Sequence, residues 1–206
     1  MSGAPAGFEE VLSPNLYYDR HFGIDAVKIL PGEYYVSNRN LLMVTVLGSC
    51  VGACVRDRVS GIGGINHFML PDDRRNEEER VGSAMRYGDY AMEILINQLL
   101  KLGARRERLE AKVFGGGNVL PGFTHNVVGE RNARFVTRYL AVEGIPVVAR
   151  DLLGDHPRKV YFFPETGRVL VRKLRSLHND TIVQRERSYR SKLQQSPVEG
   201  AVELFG

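Results

Sequence analysis

The chain has 206 residues, 43% of them hydrophobic, and a formal net charge of +4. This length suits one domain with a sizeable core. Two cysteines are too few for the disulfide scaffold of a small secreted protein. The start "MSGAPAGFEE" lacks the features of a secretory signal, and no apolar run approaches the ~20 residues that span a bilayer. We therefore expect a cytoplasmic protein in a reducing environment that is not inserted in a membrane.

The first half of the chain is rich in β-prone segments. Residues 1–25 are predicted to form an N-terminal extension. A strand pair is predicted at "DAVKIL" and "EYYVS", joined by a turn at Pro31 and Gly32. Three further strands are predicted at "LLMVTVL", "VGACVRD" and "GIGGINHFML", with glycine or polar breaks between them.

The pattern changes after Pro71. The run "DDRRNEEER" predicts an exposed charged loop, and a helix is predicted from Ser83 onward, ending at Gly103. Its apolar residues recur every three or four positions and would share one face: Ala84, Tyr87, Ala91, Leu95, Leu99 and Leu102.

A second amphipathic helix is predicted from about residue 129 to residue 143, closed by Gly144. Its inner stripe would consist of Ala133, Val136 and Leu140. A strand "EAKVFGG" precedes this helix. Strands "IPVVAR", "KVYFF" and "RVLVRKL" follow it, with a turn at residues 165–167.

Strands outnumber helices, and two amphipathic helices need a sheet face to cover. We therefore predict an α/β (α+β) fold, a layered sandwich of mostly β-strands covered by two helices. The predicted domain spans residues 26–175, and residues 176–206 are predicted to form a basic C-terminal tail.

The C-terminal segment concentrates positive charge. Seven basic residues stand against two acidic ones between positions 172 and 192: Arg172, Lys173, Arg175, Arg185, Arg187, Arg190 and Lys192. A solvated segment is the simplest interpretation, and contact with an acidic protein surface is the alternative. No RNA-binding motif or zinc-finger spacing is present, so we expect no nucleic-acid partner.

Both cysteines lie in "VTVLGSCVGACVRD", residues 44–57. On an extended strand, Cys50 and Cys54 would be ~13 Å apart, too far for a disulfide or a shared zinc ion. Cys54 lies inside the apolar run and is predicted to be a small buried hydrophobe. Cys50 follows Gly48 and Ser49, whose turn could expose a nucleophile and aim backbone N–H groups at an oxyanion. Taken alone, "GSC" is more often structural than catalytic.

A nucleophilic cysteine needs a base, most often a histidine. The five candidates are His21, His67, His125, His156 and His178. His67 ends the strand "GIGGINHFML", and a hairpin through "DRVSG" would return it toward Cys50; a hydrogen-bonded strand histidine is the alternative. The others are better explained as surface residues. Thr45 is a candidate hydroxyl to orient the imidazole, or simply a β-branched strand residue.

A glycine run at residues 115–117 lies farther along the chain. It lacks the lysine and spacing of a phosphate-binding P-loop. We predict instead that it allows close backbone approach beside the site. Asn118 and Asn132 are possible polar contacts there, or they satisfy buried backbone groups.

The elements "LGSCVGACVRD" and "GGINHFMLP" are followed by "AKVFGGGN", "GERNARFV", "GIPVVARD" and "TGRVLVRK". In this order and spacing the sequence resembles the CheD family, the chemoreceptor glutamine deamidases of bacterial chemotaxis, from about residue 29 to residue 173. The resemblance implies a Cys-His-Thr hydrolase with Cys50 as nucleophile and His67 as base. Thr45 is the nearest match to the family's threonine. The segment "DLLGD" departs from the paired glycines that relatives often carry there.

The resemblance also implies a substrate and partners. Glutamines of methyl-accepting chemotaxis proteins would become glutamates with release of ammonia, with no metal or organic cofactor. Gly48 and Ser49 would stabilise the oxyanion, and Gly116 and Asn118 would line the substrate site. Because the substrate is a receptor helix bundle, we expect an open groove and localisation at chemoreceptor arrays.

Two other functions compete with this one. A non-catalytic adaptor could bind receptors or a CheC-type phosphatase, which is also a possible partner of an active enzyme. A thiol redox sensor is disfavoured by the distance between the two cysteines.

Overall fold

The computed structural model describes residues 15–71, 77–119, 127–174 and 180–195. Within them the strands are β1 (Leu16–Asp19), β2 (Ile24–Ile29), β3 (Tyr34–Ser37), β4 (Leu42–Leu47), β5 (Val51–Asp57), β6 (Gly63–Asn66), β7 (Leu109–Gly115), β8 (Val147–Leu152), β9 (Arg158–Phe163) and β10 (Arg168–Lys173). The helices are α1 (Glu77–Lys101), α2 (Val127–Val142) and α3 (Asp180–Gln195), with a short 3-10 helix at Arg106–Arg108. None of the helices in the described ranges combines the length and apolar character that crossing a membrane requires.

The strands form two five-stranded mixed sheets. The first has the order β1-β2-β4-β9-β10, and the second has the order β3-β6-β5-β7-β8. Neighbours are antiparallel except for β2 with β4 and β7 with β8. The predicted α+β class is confirmed, and the described strands do not close into a barrel.

Alternation along β5 divides the core into two parts, because successive strand residues face opposite sides of a sheet. Val51, Ala53 and Val55 face α1 and α2 in one buried cluster. Cys50 and Cys54 belong to a second buried cluster, the inner cluster, which lies between the two sheets. The inner cluster also contains residues of both sheets and of the adjoining loops: Val27, Ile29, Leu41, Met43, Leu47, Ile65, Met69, Phe114, Val160 and Phe162.

Most of the predicted elements are present. The strands from "LLMVTVL" onward lie within a few residues of their predicted positions, and α2 buries its predicted inner stripe. Gly103 and Gly144 have φ of +101° and +66°, the left-handed conformation expected after a helix end. Cys54 is buried in the core, as predicted.

Three local expectations were wrong. The strands β2 and β3 do not pair with each other but lie in different sheets, because β2 pairs with β1 and β4 while β3 pairs with β6. Helix α1 begins at Glu77, so part of the predicted charged loop is helical. Leu102 follows the end of α1 and is 38% exposed, so it does not belong to the buried stripe.

The C-terminal segment also differs from the predicted solvated one. Residues 180–195 form α3, in which Ile182, Val183 and Glu186 are buried while Gln184 and Arg187 are exposed. The spacing of the buried apolar residues of α3 was hard to recognise in the sequence, because charged residues surround them and the helix has a low average hydrophobicity. Strand β1, inside the predicted extension, likewise pairs with β2. The boundaries 1–25, 26–175 and 176–206 stay predictions.

Helix α2 offers a matched pair of valines to test how it covers the sheet. Val136 is fully buried against the sheet, whereas Val142 is 76% exposed. We expect Val136→Ala to lower the free energy of unfolding by about 2 kcal/mol, because it removes buried methyl groups and leaves a cavity. Val142→Ala should change it by less than about 0.5 kcal/mol. Urea unfolding of both variants measures the difference, and equal effects would contradict this packing.

Candidate active site

The hairpin formed by β5 and β6 positions Cys50 relative to His67. Val51 and Phe68 form an antiparallel bridge in which each N–H donates to the other's carbonyl at 3.0 Å. Cys50 precedes one bridge residue and His67 precedes the other, so both side chains lie on the opposite face from the bridge pair. In this register Gly52 lies opposite His67, and the Leu47 side chain packs where a side chain on residue 52 would lie. The predicted return of His67 toward Cys50 is present, and diagonal neighbours of this kind are within reach of each other.

Thr45, on β4 of the first sheet, contacts His67 across the sandwich. Its hydroxyl oxygen lies 2.8 Å from Nδ1 of His67 and donates its own proton to the carbonyl of Ile29 at 2.9 Å. Because a hydroxyl carries one proton, the oxygen must accept the other bond from Nδ1–H. The lone pair of the imidazole is therefore on Nε2. That atom is buried and has no hydrogen-bond partner among the described residues.

The thiol and the imidazole are both uncharged in this structure. Burial lowers the pKa of His67 to about 3, so the ring is neutral at pH 7. Burial also raises the pKa of the Cys50 thiol well above its usual range, and the nearby Glu186 carboxylate raises it further. Cys50 and His67 are therefore a protonated thiol and a neutral base in this structure rather than an ion pair.

The bend at residues 48–50 joins β4 to β5 and connects the two sheets. The N–H groups of Gly48, Ser49 and Cys50 all donate to the carboxylate of Glu186, at 2.9, 3.0 and 3.2 Å. The Ser49 hydroxyl donates to the same carboxylate at 2.6 Å. Three successive N–H groups aimed at one anion form a nest, the arrangement that an oxyanion hole requires.

Asn132 on α2 braces this bend. Its side-chain amide donates to the carbonyl of Ser49 at 2.8 Å, and its side-chain oxygen accepts from the N–H of Leu70 at 2.9 Å. The residue is fully buried. It therefore ties the bend that carries Cys50 to the segment that follows His67, and satisfies buried backbone groups as the sequence analysis allowed.

The glycine run after β7 supports the other side of the bend. The N–H of Gly116 donates to the carbonyl of Cys50, and that of Gly117 donates to the carbonyl of Gly48, both at 2.7 Å. A Cβ on Gly115 would lie 2.2 Å from the Cys50 carbonyl oxygen. Close backbone approach beside the site is thus present as predicted. Asn118 is exposed, and its N–H donates to the carbonyl of Gly154.

The segment "DLLGD", which departs from the paired glycines of related sequences, lies next to the glycine run at residues 115–117. Leu153 has a φ of +67°, a left-handed conformation that is uncommon for residues other than glycine. Its N–H donates to the carbonyl of Gly115 at 2.8 Å. Leucine therefore adopts here the backbone conformation that glycine favours.

Helix α3 covers the site, so the part of the chain that the structure describes shows no open groove over Cys50. Tyr189 packs against the inner cluster that contains Cys50, and its hydroxyl hydrogen-bonds to that of Tyr87. A cavity of about 20 Å³, the room of about one water molecule, is lined by residues that include His67, Ile182 and Glu186.

Glu186 is the site residue that the sequence analysis missed. It is only 2% exposed although it is charged. The available signal was its position: Glu186 lies three residues after Val183 and three before Tyr189, within a stripe of otherwise apolar residues.

Two of the remaining histidines, His21 and His156, lie in the described residues. His21 is exposed, and His156 is half-buried beside Asp155 at 3.1 Å. His125 and His178 lie outside the described residues. In the described part of the chain, no three His, Cys, Asp or Glu side chains are grouped so as to hold a metal ion.

Several known proteins are similar in sequence to this chain over most of its length. A family profile described as "CheD chemotactic sensory transduction" matches residues 69–173. A "Probable chemoreceptor glutamine deamidase CheD" from Thiobacillus denitrificans is 64% identical over 200 residues, covering 97% of this chain and 99% of that protein. Proteins of the same name from Janthinobacterium sp. and Laribacter hongkongensis are 61% and 55% identical, covering 96% and 92% of this chain and 97% and 92% of their own lengths. The chain belongs to the CheD family.

Proposed function

We propose that this protein is a chemoreceptor glutamine deamidase, which hydrolyses glutamine side chains of methyl-accepting chemotaxis proteins to glutamate and ammonia through a thioester on Cys50. The proposal is supported by the register of the β5–β6 hairpin, which puts Cys50 and His67 on one face, by the unpartnered Nε2 of His67 and by the N–H nest at residues 48–50. The printed names of relatives with 55–64% identity support the same activity.

Acylation begins with proton transfer from the Cys50 thiol to Nε2 of His67. The resulting thiolate is the nucleophile, and the imidazolium beside it lowers the thiol pKa that burial raises. The thiolate attacks the side-chain carbonyl carbon of glutamine and forms a tetrahedral intermediate. The negative oxygen of this intermediate accepts hydrogen bonds from the N–H groups of residues 48–50, among which Gly48 and Ser49 were predicted from the sequence.

The intermediate collapses when His67 returns its proton to the amide nitrogen, and ammonia leaves. A water molecule then attacks the thioester after losing a proton to the same Nε2, which yields glutamate and the free thiol. The overall change is glutamine plus water to glutamate plus ammonia, so no oxidant or cofactor is needed.

Thr45 acts as a positioning residue in this scheme. By accepting from Nδ1–H it holds the tautomer that leaves Nε2 free, and the Ile29 carbonyl fixes the hydroxyl in turn. Gly116 holds the backbone of Cys50 through its N–H. Asn118 is exposed and available to contact the substrate chain.

The site of action follows from the substrate. We place the protein in the cytoplasm at chemoreceptor arrays, where the glutamine-bearing receptor helices are found, with a CheC-type phosphatase as a possible second partner. A protein that served only as an adaptor would bind receptors without releasing ammonia, so the activity measurements below separate the two functions.

The two cysteines provide a matched test of the nucleophile. We expect Cys50→Ala to lower ammonia release from receptor glutamines by at least about a thousandfold, because the thioester cannot form. Cys54→Ala should retain activity, because Cys54 is a core residue outside the proposed chemistry. Mass spectrometry of receptor peptides measures conversion, and circular dichroism checks that both variants fold. Wild-type conversion by Cys50→Ala would rule out the mechanism.

A second test concerns the tautomer of His67. We expect Thr45→Val to lower kcat roughly tenfold or more with little change in KM, because Nδ1 loses its acceptor. Thr45→Ser keeps the hydroxyl and should restore most of kcat. Steady-state kinetics on a receptor fragment measures both constants. An equal loss in the serine and valine variants would mean that Thr45 acts through packing alone.

A further inference from the structure

Glu186 carries a negative charge into the protein interior, where backbone N–H groups bind it. It is 2% exposed, and its recorded partners are the three N–H groups and the Ser49 hydroxyl of the bend. No ion pair to it is found among the described residues. Burying a carboxylate without a counter-ion is costly unless fixed dipoles replace its hydration. The nest at residues 48–50 does so, which indicates that this nest is built for a negatively charged oxygen.

The same donors are needed by the reaction. The proposed mechanism requires N–H groups of residues 48–50 to stabilise the oxyanion, and Glu186 now uses all three. A Cβ placed on Gly48 would lie 2.6 Å from Oε1 of Glu186, so the carboxylate lies directly against the bend. Glu186 and a substrate carbonyl therefore cannot occupy the site together.

The chemical group that fills the site is also the group that the reaction makes. The product of glutamine deamidation is a glutamate side chain, and Glu186 presents that side chain from a helix. Burial raises the pKa of the Cys50 thiol and the charge of Glu186 raises it further, which disfavours the reactive thiolate. In this structure, the helix thus fills the oxyanion site and keeps the nucleophile protonated.

Side chains on one face of α3 hold the helix in place. Ile182 and Val183 are buried on the side before Glu186, and Tyr189 and Leu193 pack on the inner cluster on the side after it. A Cβ on Gly32 would lie 2.7 Å from the Tyr189 ring, so the backbone there leaves room for the tyrosine. Gln184 and Arg187 on the other face are exposed.

We propose that α3 is a displaceable internal inhibitor, with Glu186 bound as an analogue of the product, and that a helix carrying a glutamine displaces it. The proposal that the displacing helix carries a glutamine rests on the proposed function, whereas the closure of α3 over Cys50 does not. By analogy with α3, the substrate helix presents its glutamine with apolar residues four and three positions before it and three and seven positions after it. Receptor binding would thereby open the site that it needs.

Alkylation of the two cysteines tests the closure without any assay of activity. We expect Glu186→Ala to speed iodoacetamide labelling of Cys50 about tenfold or more, because a methyl group accepts none of the hydrogen bonds that the carboxylate accepts. Glu186→Asp should do the same, because its side chain is one methylene shorter. Gln184→Ala, on the exposed face of α3, should label like the wild type. Peptide mass spectrometry quantifies each cysteine separately.

Cys54 is the internal control for unfolding, since it is buried in the same cluster. Its labelling should stay slow in every variant. Wild-type labelling of Cys50 in both Glu186 variants would overturn the proposal. A parallel rise in Cys54 labelling in both Glu186 variants would also overturn it, because α3 would then be an integral part of the fold rather than a displaceable helix.

Receptor deamidation by the same variants tests whether the closure regulates activity. If only the open form binds receptor, Glu186→Ala should lower KM by about the factor seen in labelling. A lower kcat at unchanged KM would mean that Glu186 positions the bend for catalysis, which overturns the inhibitor role. If Cys50 labelling is faster in the Glu186 variants but neither they nor the wild type release ammonia, the closure of α3 over Cys50 would be supported and the proposed function overturned.

Discussion

The convergence of three backbone N–H groups at residues 48–50 is the constraint on which the site depends. Backbone donors remain unpaired in a protein interior only at considerable cost, so a buried nest must hold an anionic or strongly polar oxygen at all times. In this structure the Glu186 carboxylate meets that requirement. In the proposed reaction the oxyanion of the substrate meets it, and the exchange of one for the other links catalysis to the position of α3.

The bend can make this arrangement because it crosses from one sheet to the other. Its neighbours hold it through backbone atoms: Asn132 binds the Ser49 carbonyl, and Gly116 and Gly117 bind the carbonyls of Cys50 and Gly48. The sandwich also joins the base to its orienting group, since His67 follows a strand of the second sheet and Thr45 lies on the first. The spacing between the sheets therefore sets the geometry of the histidine.

Burial explains why the site is at rest. With α3 in place, the imidazole and the thiol are both buried and favour their neutral forms. A reactive cysteine usually lies in an exposed, electropositive environment. Here the environment is closed and contains a carboxylate, so departure of the helix would change the solvation, the charge and the access of the nucleophile together.

The sequence by itself determined most of the strands, the helices α1 and α2 and the class of the fold, because periodicity and glycine breaks are local properties of the chain. Its resemblance to the CheD family gave the candidates Cys50, His67 and Thr45. The sequence could not determine which strands pair, so β2 and β3 were joined wrongly, and it could not assign α3 to the site. The apolar stripe around Glu186 does not say what its carboxylate contacts, because the nest at residues 48–50 lies more than 130 residues away along the chain. Only the tertiary structure, through the meeting of two sheets and a distant helix, decided what fills the oxyanion site.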